Sequence, residues 1–129
     1  MSHFTRVKTR MTDANVLCEA LRDLGYKPEL GGAVRGYAGQ AAAAEMVLNP
    51  GGAYDIGFAR AADGTLNVVA DWWGVSQETG MREDAFLPPV LQRYAYRTVL
   101  AQAAVQGFQV VQEVVGADRG IRLTIRRWT

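Results

Sequence analysis

The stretch Phe86–Phe108, FLPPVLQRYAYRTVLAQAAVQGF, limits the folds open to this chain more than any other segment. It is the longest run with helical period, and the remaining segments read as short strands that need it as a cover. Pro88 and Pro89 suit a helix start, where a missing N–H has no intrahelical partner to lose. Asp84 is the expected cap, and with Glu83 it suits the positive end of the helix dipole. Gly107 is placed to close the helix in the left-handed region, with Phe108 folding back on the last turn. The spacing therefore predicts a helix over 86–106 packed on a sheet. Leu87, Val90, Leu91, Tyr94, Ala95, Thr98, Val99, Ala101 and Val105 form its inward face. Arg93, Tyr96, Arg97 and Leu100 fall on the opposite side, and an aromatic, two arginines and a leucine there form the kind of patch that binds a partner.

At 129 residues the chain is of one-domain size, so residues 1–129 are read as one unit able to bury roughly two thirds of its unfolded surface. A net charge of +1 argues against a dedicated DNA or membrane-surface binder. No apolar run approaches the ~20 residues of a membrane span. The leading MSHFTRVKTR lacks an apolar signal core, so the expected location is cytoplasmic. Cys18, the lone cysteine, sits in an amphipathic segment and reads as a core residue. His3 is the lone histidine. One Cys and one His in different elements make no zinc site, so neither metal nor cofactor is expected.

In chain order, His3–Met11 alternates as a strand with Arg6, Lys8 and Arg10 along one side. Thr12 or Asp13 caps a first helix with Leu17, Ala20, Leu21 and Leu24 as its buried stripe, and Gly25 ends it before Tyr26. Pro28–Ala33 is a loop by composition. Val34–Gln40 and Ala42–Leu48 read as strands, the second cut short by Asn49-Pro50-Gly51-Gly52. Gly31, Gly32, Gly36 and Gly39 match no phosphate or dinucleotide loop and fit turns and bulges. Tyr54–Ala61 and Leu66–Trp73 flank Asp63-Gly64, a strong hairpin signal, with Leu66, Val68 and Ala70 on one face. Trp72 and Trp73 would then point to opposite faces of a strand, Trp73 being the candidate contact. Gly74–Glu83 is a polar connection. Gln109–Val115 and Ile121–Trp128 make a last hairpin across residues 116–120, with Ile121, Leu123 and Ile125 facing inward. The order β-α-β-β-β-β-α-β-β, with hairpins and helices on one face, defines an α+β fold with a mostly antiparallel sheet.

Two further candidate sites follow from this layout. If the first and last strands are neighbours, Arg6, Lys8, Arg10, Arg119, Arg122, Arg126 and Arg127 with Trp128 form a basic-aromatic face suited to single-stranded nucleic acid or another acidic ligand. Asp55 and Asp71 lie on neighbouring strands of the Asp63-Gly64 hairpin and are expected near each other on one face, with Glu45 on the adjacent strand, and paired carboxylates bind a divalent cation or share a proton. The structural alternative pairs these acids with Arg35, Arg60 or Arg122.

MSHF at the N-terminus, VRGYAGQ at Val34–Gln40, YDIGF at Tyr54–Phe58, QRYAY at Gln92–Tyr96, QGF at Gln106–Phe108 and the C-terminal IRLTIRRW occur in this order. Together they resemble the hypothetical chloroplast reading-frame thirty-five family, also called domain of unknown function 1257, over essentially the whole chain. The likeness departs from the family pattern after Val69, at Asp71-Trp72-Trp73 and the following loop. The family has no established activity. The resemblance implies an accessory gene lying beside an AAA-type ATPase and a second small protein, hence a non-enzymatic adaptor or subunit of an ATPase-associated system.

Overall fold

The fold grows from the Asp63-Gly64 hairpin. Asp63 Oδ1 accepts from the Thr65 N–H at 3.1 Å and Gly64 sits at φ 88, so the two strands are joined by a tight turn. They are β6 (Ile56–Arg60) and β7 (Leu66–Ala70), in antiparallel register from Ile56 opposite Ala70 to Arg60 opposite Leu66. The coordinates are a computed structural model that describes residues 3–115 and 120–127. Three short strands extend this pair: β1 (Thr5–Val7) beside β7, and β5 (Met46–Leu48) then β2 (Glu29–Leu30) beyond β6. The resulting five-stranded sheet has the order β1-β7-β6-β5-β2. A separate ribbon is formed by β3 (Ala33–Arg35) and β4 (Ala41–Ala43). A second ribbon is formed by β8 (Phe108–Val115) and β9 (Ile121–Arg127).

The sheet is covered on both faces. On one, Leu66, Val68 and Ala70 join Met46, Leu48, Ile56 and Phe58 in the main core, as the alternation predicts. On the other, Val69 is just as buried, and its register partner Gly57 lies under Val34 of β3. Gly57 makes this close approach possible: a Cβ there would collide with the Val34 side chain and Ala44. The expected Val34–Gln40 strand is therefore cut at Gly36, where the chain enters a turn over Tyr37–Gly39 with Ala38 at φ 54 and Gly39 at φ 78. The alanine run is divided between two sheets, β4 pairing with β3 and β5 with β6. The expected Pro28–Ala33 loop contributes the short edge strand β2.

Helices occupy the core face. The first, α1 (Ala14–Asp23), is capped by Asp13, whose carboxylate accepts the Asn15 and Val16 N–H groups. Gly25 at φ 91 ends it, with the Tyr26 N–H returning to the Leu21 carbonyl at 3.0 Å. The second, α2 (Trp72–Thr79), is a correction. Asp71 is not a strand residue; it caps this helix by accepting the Gly74 N–H at 3.1 Å, and Gly80 at φ 75 closes it. Trp72 and Trp73 are thus consecutive helical residues rather than opposite faces of a strand. The third, α3 (Glu83–Val105), begins one turn earlier than predicted, and Asp84 lies inside it instead of capping it. The Arg82 carbonyl accepts the Ala85 and Phe86 N–H groups, which brings Phe86 into the helix and onto the core. Pro88 and Pro89 therefore fall in the second turn, where each deletes one i→i−4 hydrogen bond.

Phe86 is the hub of the aromatic core. Its ring centroid lies 5.5 Å from Tyr26, 5.7 Å from Trp72 and 6.4 Å from Phe58. One ring thus joins the C-terminal turn of α1, the start of α2 and the central strand β6.

Candidate functional site

The outer surface of α3 is decided by ion pairs more than by its apolar pattern. Arg93 and Arg97 do not form an outward patch. Both turn onto α1 and meet at Asp23, with Arg93 Nε 2.8 Å from Oδ2 and Arg97 Nη2 2.6 Å from Oδ1. The Arg97 hydrogen bond, with Arg93 behind it, holds the Asp23 carboxyl down at about 2 against the opposing effect of burial. At the other end of α1 the Thr12 and Asp13 N–H groups donate to the Tyr94 hydroxyl at 3.1 and 3.0 Å. The Arg93 guanidinium also lies 4.2 Å from the Tyr96 ring centroid. Tyr96 and Leu100 are half-buried. Of the predicted inward face, Leu87 and Val90 are buried and Tyr94 packs against the core, whereas Leu91, Val99 and Val105 are 38%, 42% and 88% exposed. α3 is apolar almost all round, so its periodicity does not choose a face; Asp23 chooses by capturing the arginines.

The carboxylates expected near the hairpin are placed at one end of it, since Ile56 and Ala70 are register partners and Asp55 and Asp71 adjoin them. Their oxygens have separate tasks. Asp55, 5% exposed, accepts from Arg35 Nε at 2.8 Å, Arg35 Nη2 at 3.0 Å, Asn49 Nδ2 at 2.9 Å and the Arg35 backbone N–H at 2.9 Å. Burial raises its pKa, but these donors outweigh burial and hold it below the usual range. Glu45 pairs with Arg60, and Asp71 caps α2. Among the described residues no group of three His, Cys, Asp or Glu side chains is arranged to share a metal ion.

The combined basic face is not assembled. β1 borders β7, whereas β9 pairs with β8 in a sheet of its own. Lys8 is paired with Asp63 at 3.3 Å. Arg6 and Arg10 are exposed on the N-terminal segment, and Arg122 is exposed on β9. Arg126 and Arg127 are described only by their backbone register, opposite Gln109 and Phe108. Arg119, Trp128 and the 116–119 part of the expected turn lie outside the described residues.

What the structure does form is a groove between α2 and the start of α3. Trp72, Trp73, Ser76, Leu87, Pro88 and Leu91 line it, Arg82, Glu83 and Asp84 stand at its rim, and it encloses about 580 Å³. Trp73 is 54% exposed there. Arg82 already pairs with Asp84 at 3.1 Å, so the rim keeps one unbalanced carboxylate, Glu83. The Trp72 indole N–H is buried beside the groove and donates to no acceptor among the described residues, a cost of ~1–3 kcal/mol for a buried donor. The proline pair leaves the Asp84 and Ala85 carbonyls without an i+4 N–H. Of these residues the sequence singled out Trp73 as a contact. The missed signal was Asp71 eight residues ahead of Thr79 and followed by Gly80, a cap at each end of one short helix.

The fold and groove define a small α+β protein with an exposed indole on a partly apolar groove. The comparisons with known proteins place it more closely. The family model described as protein of unknown function (DUF1257) matches residues 20–124, and the chain belongs to that family. It is similar to proteins named "Uncharacterized protein ycf35": 34% identical over 130 residues in Guillardia theta, and 29% identical over 129 residues in Pyropia yezoensis. The Cyanophora paradoxa protein of the same name is 29% identical over 131 residues. Each alignment spans 99% of this chain and 98% of the relative. No solved structure matches. Among the described residues no helix is long and apolar enough to cross a membrane.

Proposed function

We propose that this protein is a non-enzymatic adaptor that docks on a partner protein through the groove between α2 and α3. The observation that carries the reading is Trp73, an indole left 54% exposed on a groove floored by Trp72, Leu87, Pro88 and Leu91. Aromatic anchors beside a desolvated apolar pocket are the usual centres of binding energy. The rim sets the partner's chemistry. Glu83 puts a carboxylate at the rim, so the matching surface presents a basic side chain next to an apolar one. The partners implied by the family resemblance are an AAA-type ATPase and the second small protein encoded near it.

The test is co-elution of the purified chain with each of these two proteins on size exclusion, comparing wild type with Trp73→Ala. Binding by wild type and its loss in a folded Trp73→Ala chain support the reading. Equal binding by both chains removes the groove, and no complex with either protein removes the ATPase-associated role.

A further inference from the structure

We infer that the cleft between the β2 edge of the main sheet and the β3–β4 ribbon binds a small aliphatic amino acid, with its carboxylate at Arg35 and Lys27 and its ammonium at Glu29. This cleft is separate from the α2–α3 groove, and the inference does not rest on the adaptor reading.

The strand registers build the floor. Glu29 stands opposite Val47, and Val47 opposite Gly57. Two residues further along, the same antiparallel alternation ranks Lys27, Asn49 and Asp55 across the sheet. The Asn49 Nδ2 to Asp55 Oδ1 hydrogen bond of 2.9 Å joins two members of that rank. The ribbon forms the wall: Val34 closes over Gly57, whereas Val47 stays half-buried. Between floor and wall lies a cleft of about 540 Å³, lined by Lys27, Glu29, Ala33, Arg35, Val47 and Asn49. Small-molecule sites occupy about 300–1,000 Å³. Gly31 and Gly32, at φ 76 and 110, carry the chain from sheet to ribbon. They put no side chain there, and a Cβ on Gly32 would stand 4.0 Å from the Val47 side chain.

Arg35 is set in place before any ligand arrives. The buried Asp55 carboxylate takes its Nε and Nη2, and the Gly52 carbonyl takes Nη2 as well. The Nη1 amino group enters none of these contacts, and the side chain is 55% exposed. A guanidinium fixed in this way offers its remaining N–H groups to a carboxylate at little cost in side-chain freedom. Asn49 is spent as a support, with its amide donating to Asp55 and Gly52 and its oxygen accepting the Gly51 N–H.

Charge then selects the ligand. Arg35 and Lys27 are balanced by Asp55 and Glu29 among the lining residues, so the cleft as a whole favours neither a plain anion nor a plain cation. Asp55 is occupied by Arg35 and Asn49. Among the described residues Lys27 and Glu29 enter no ion pair. Two positions apart on one side of a strand, they stand ~7 Å from each other at the backbone. The groups left over are thus a guanidinium edge, an ammonium and a carboxylate, which a zwitterion satisfies together. Val47 and Ala33 supply a small apolar surface with no aromatic ring, which fits a short aliphatic side chain.

The experiment is a titration of the full ¹⁵N-labelled chain with L-valine to ~10 mM, enough to reveal a Kd of about 1 mM. The amides of Gly31, Gly32 and Asn49 should shift while that of Trp73 does not. L-valinamide, which lacks the carboxylate, N-acetyl-L-valine, which lacks the ammonium, and inorganic phosphate should each bind about 10-fold or more weaker, as the loss of a charged hydrogen bond implies. Lys27→Gln and Glu29→Gln lie on the surface and should keep the fold while weakening valine about 10-fold. Glu29→Gln should leave the affinity for N-acetyl-L-valine unchanged. Absence of a valine-induced shift at Gly31, Gly32 and Asn49 overturns the inference, as does valine binding that neither variant weakens. Phosphate or N-acetyl-L-valine binding as tightly as valine makes the cleft a plain anion site and overturns it too.

Discussion

Replacing Asp23 with alanine tests the reasoning that orients α3. The carboxylate receives Arg93 and Arg97 from a helix some 70 residues away, and its side chain is 17% exposed against 28% and 32% for the arginines. Its pKa of about 2 lies below the ordinary aspartate value of 3.8, a difference worth roughly 2.5 kcal/mol by linkage. Solvent around the arginines screens part of this, so about 1–2 kcal/mol is expected. Removing Asp23 also leaves two half-buried guanidinium groups with only Glu19, 3.7 Å from Arg97, as a carboxylate partner. The total expected loss at pH 7 is about 1.5–3 kcal/mol. The sign with pH follows from the depressed pKa. The contribution is complete above pH ~4 and disappears as pH falls through about 2. Urea unfolding at pH 7, 4, 3 and 2 measures this directly. The gap between wild type and Asp23→Ala should be widest at pH 7 and narrow between pH 4 and 2. A variant within 0.3 kcal/mol of wild type at pH 7 (about the limit of such measurements), or a gap of constant size down to pH 2, refutes the clamp.

Other outcomes follow from single contacts. Phe86→Ala removes the ring shared by Tyr26, Trp72 and Phe58 and should cost ~3–5 kcal/mol in urea unfolding. Gly57→Ala drives a methyl into Val34 and Ala44 and should cost ~1–3 kcal/mol by overpacking, whereas the exposed Gly51, with open space around it, has no such collision. Asp55→Asn strips Arg35 of its buried counter-charge and should lower the thermal midpoint with a loss of ~2–4 kcal/mol. Trp73→Ala should change stability by no more than ~0.5 kcal/mol, because the side chain lies on the surface, while abolishing co-elution with the partner.

The parts legible in the sequence were those fixed by local chemistry. Asp63-Gly64 gave the central hairpin, Asp13 and Gly25 bounded α1, and Gly107 at φ 80 closed α3. The ordered motifs gave the family. What escaped was set by partners distant in the chain. Nothing local says that β1 pairs with β7 rather than with β9, because both arrangements satisfy the same alternation. The face of α3 could not be read from apolar residues present on every side; it depends on Asp23, far earlier in the chain. α2 was missed because two tryptophans after a strand pattern look like its continuation, although Asp71 and Gly80 carry the caps. The candidate site inherited these errors: Trp73 is an exposed contact, and Arg93 and Arg97 became struts.

The proline pair in α3 gives the groove a particular mechanical character. Two successive amide donors are missing at Pro88 and Pro89, so the turn that carries Glu83 and Asp84 has lost two hydrogen bonds to the next turn and is anchored on the core by the Phe86 ring against Tyr26, Trp72 and Phe58. Further along, Asp23 and the Tyr94 hydroxyl fasten residues 93–97 to α1. In hydrogen-exchange terms, the amides of that first turn should open at low cost and independently of those past residue 90. The wall of the groove built by that first turn is therefore more compliant than the helix beyond residue 90, which suits a receptor that accepts anchors of differing size at a fixed position rather than one cut to a single shape.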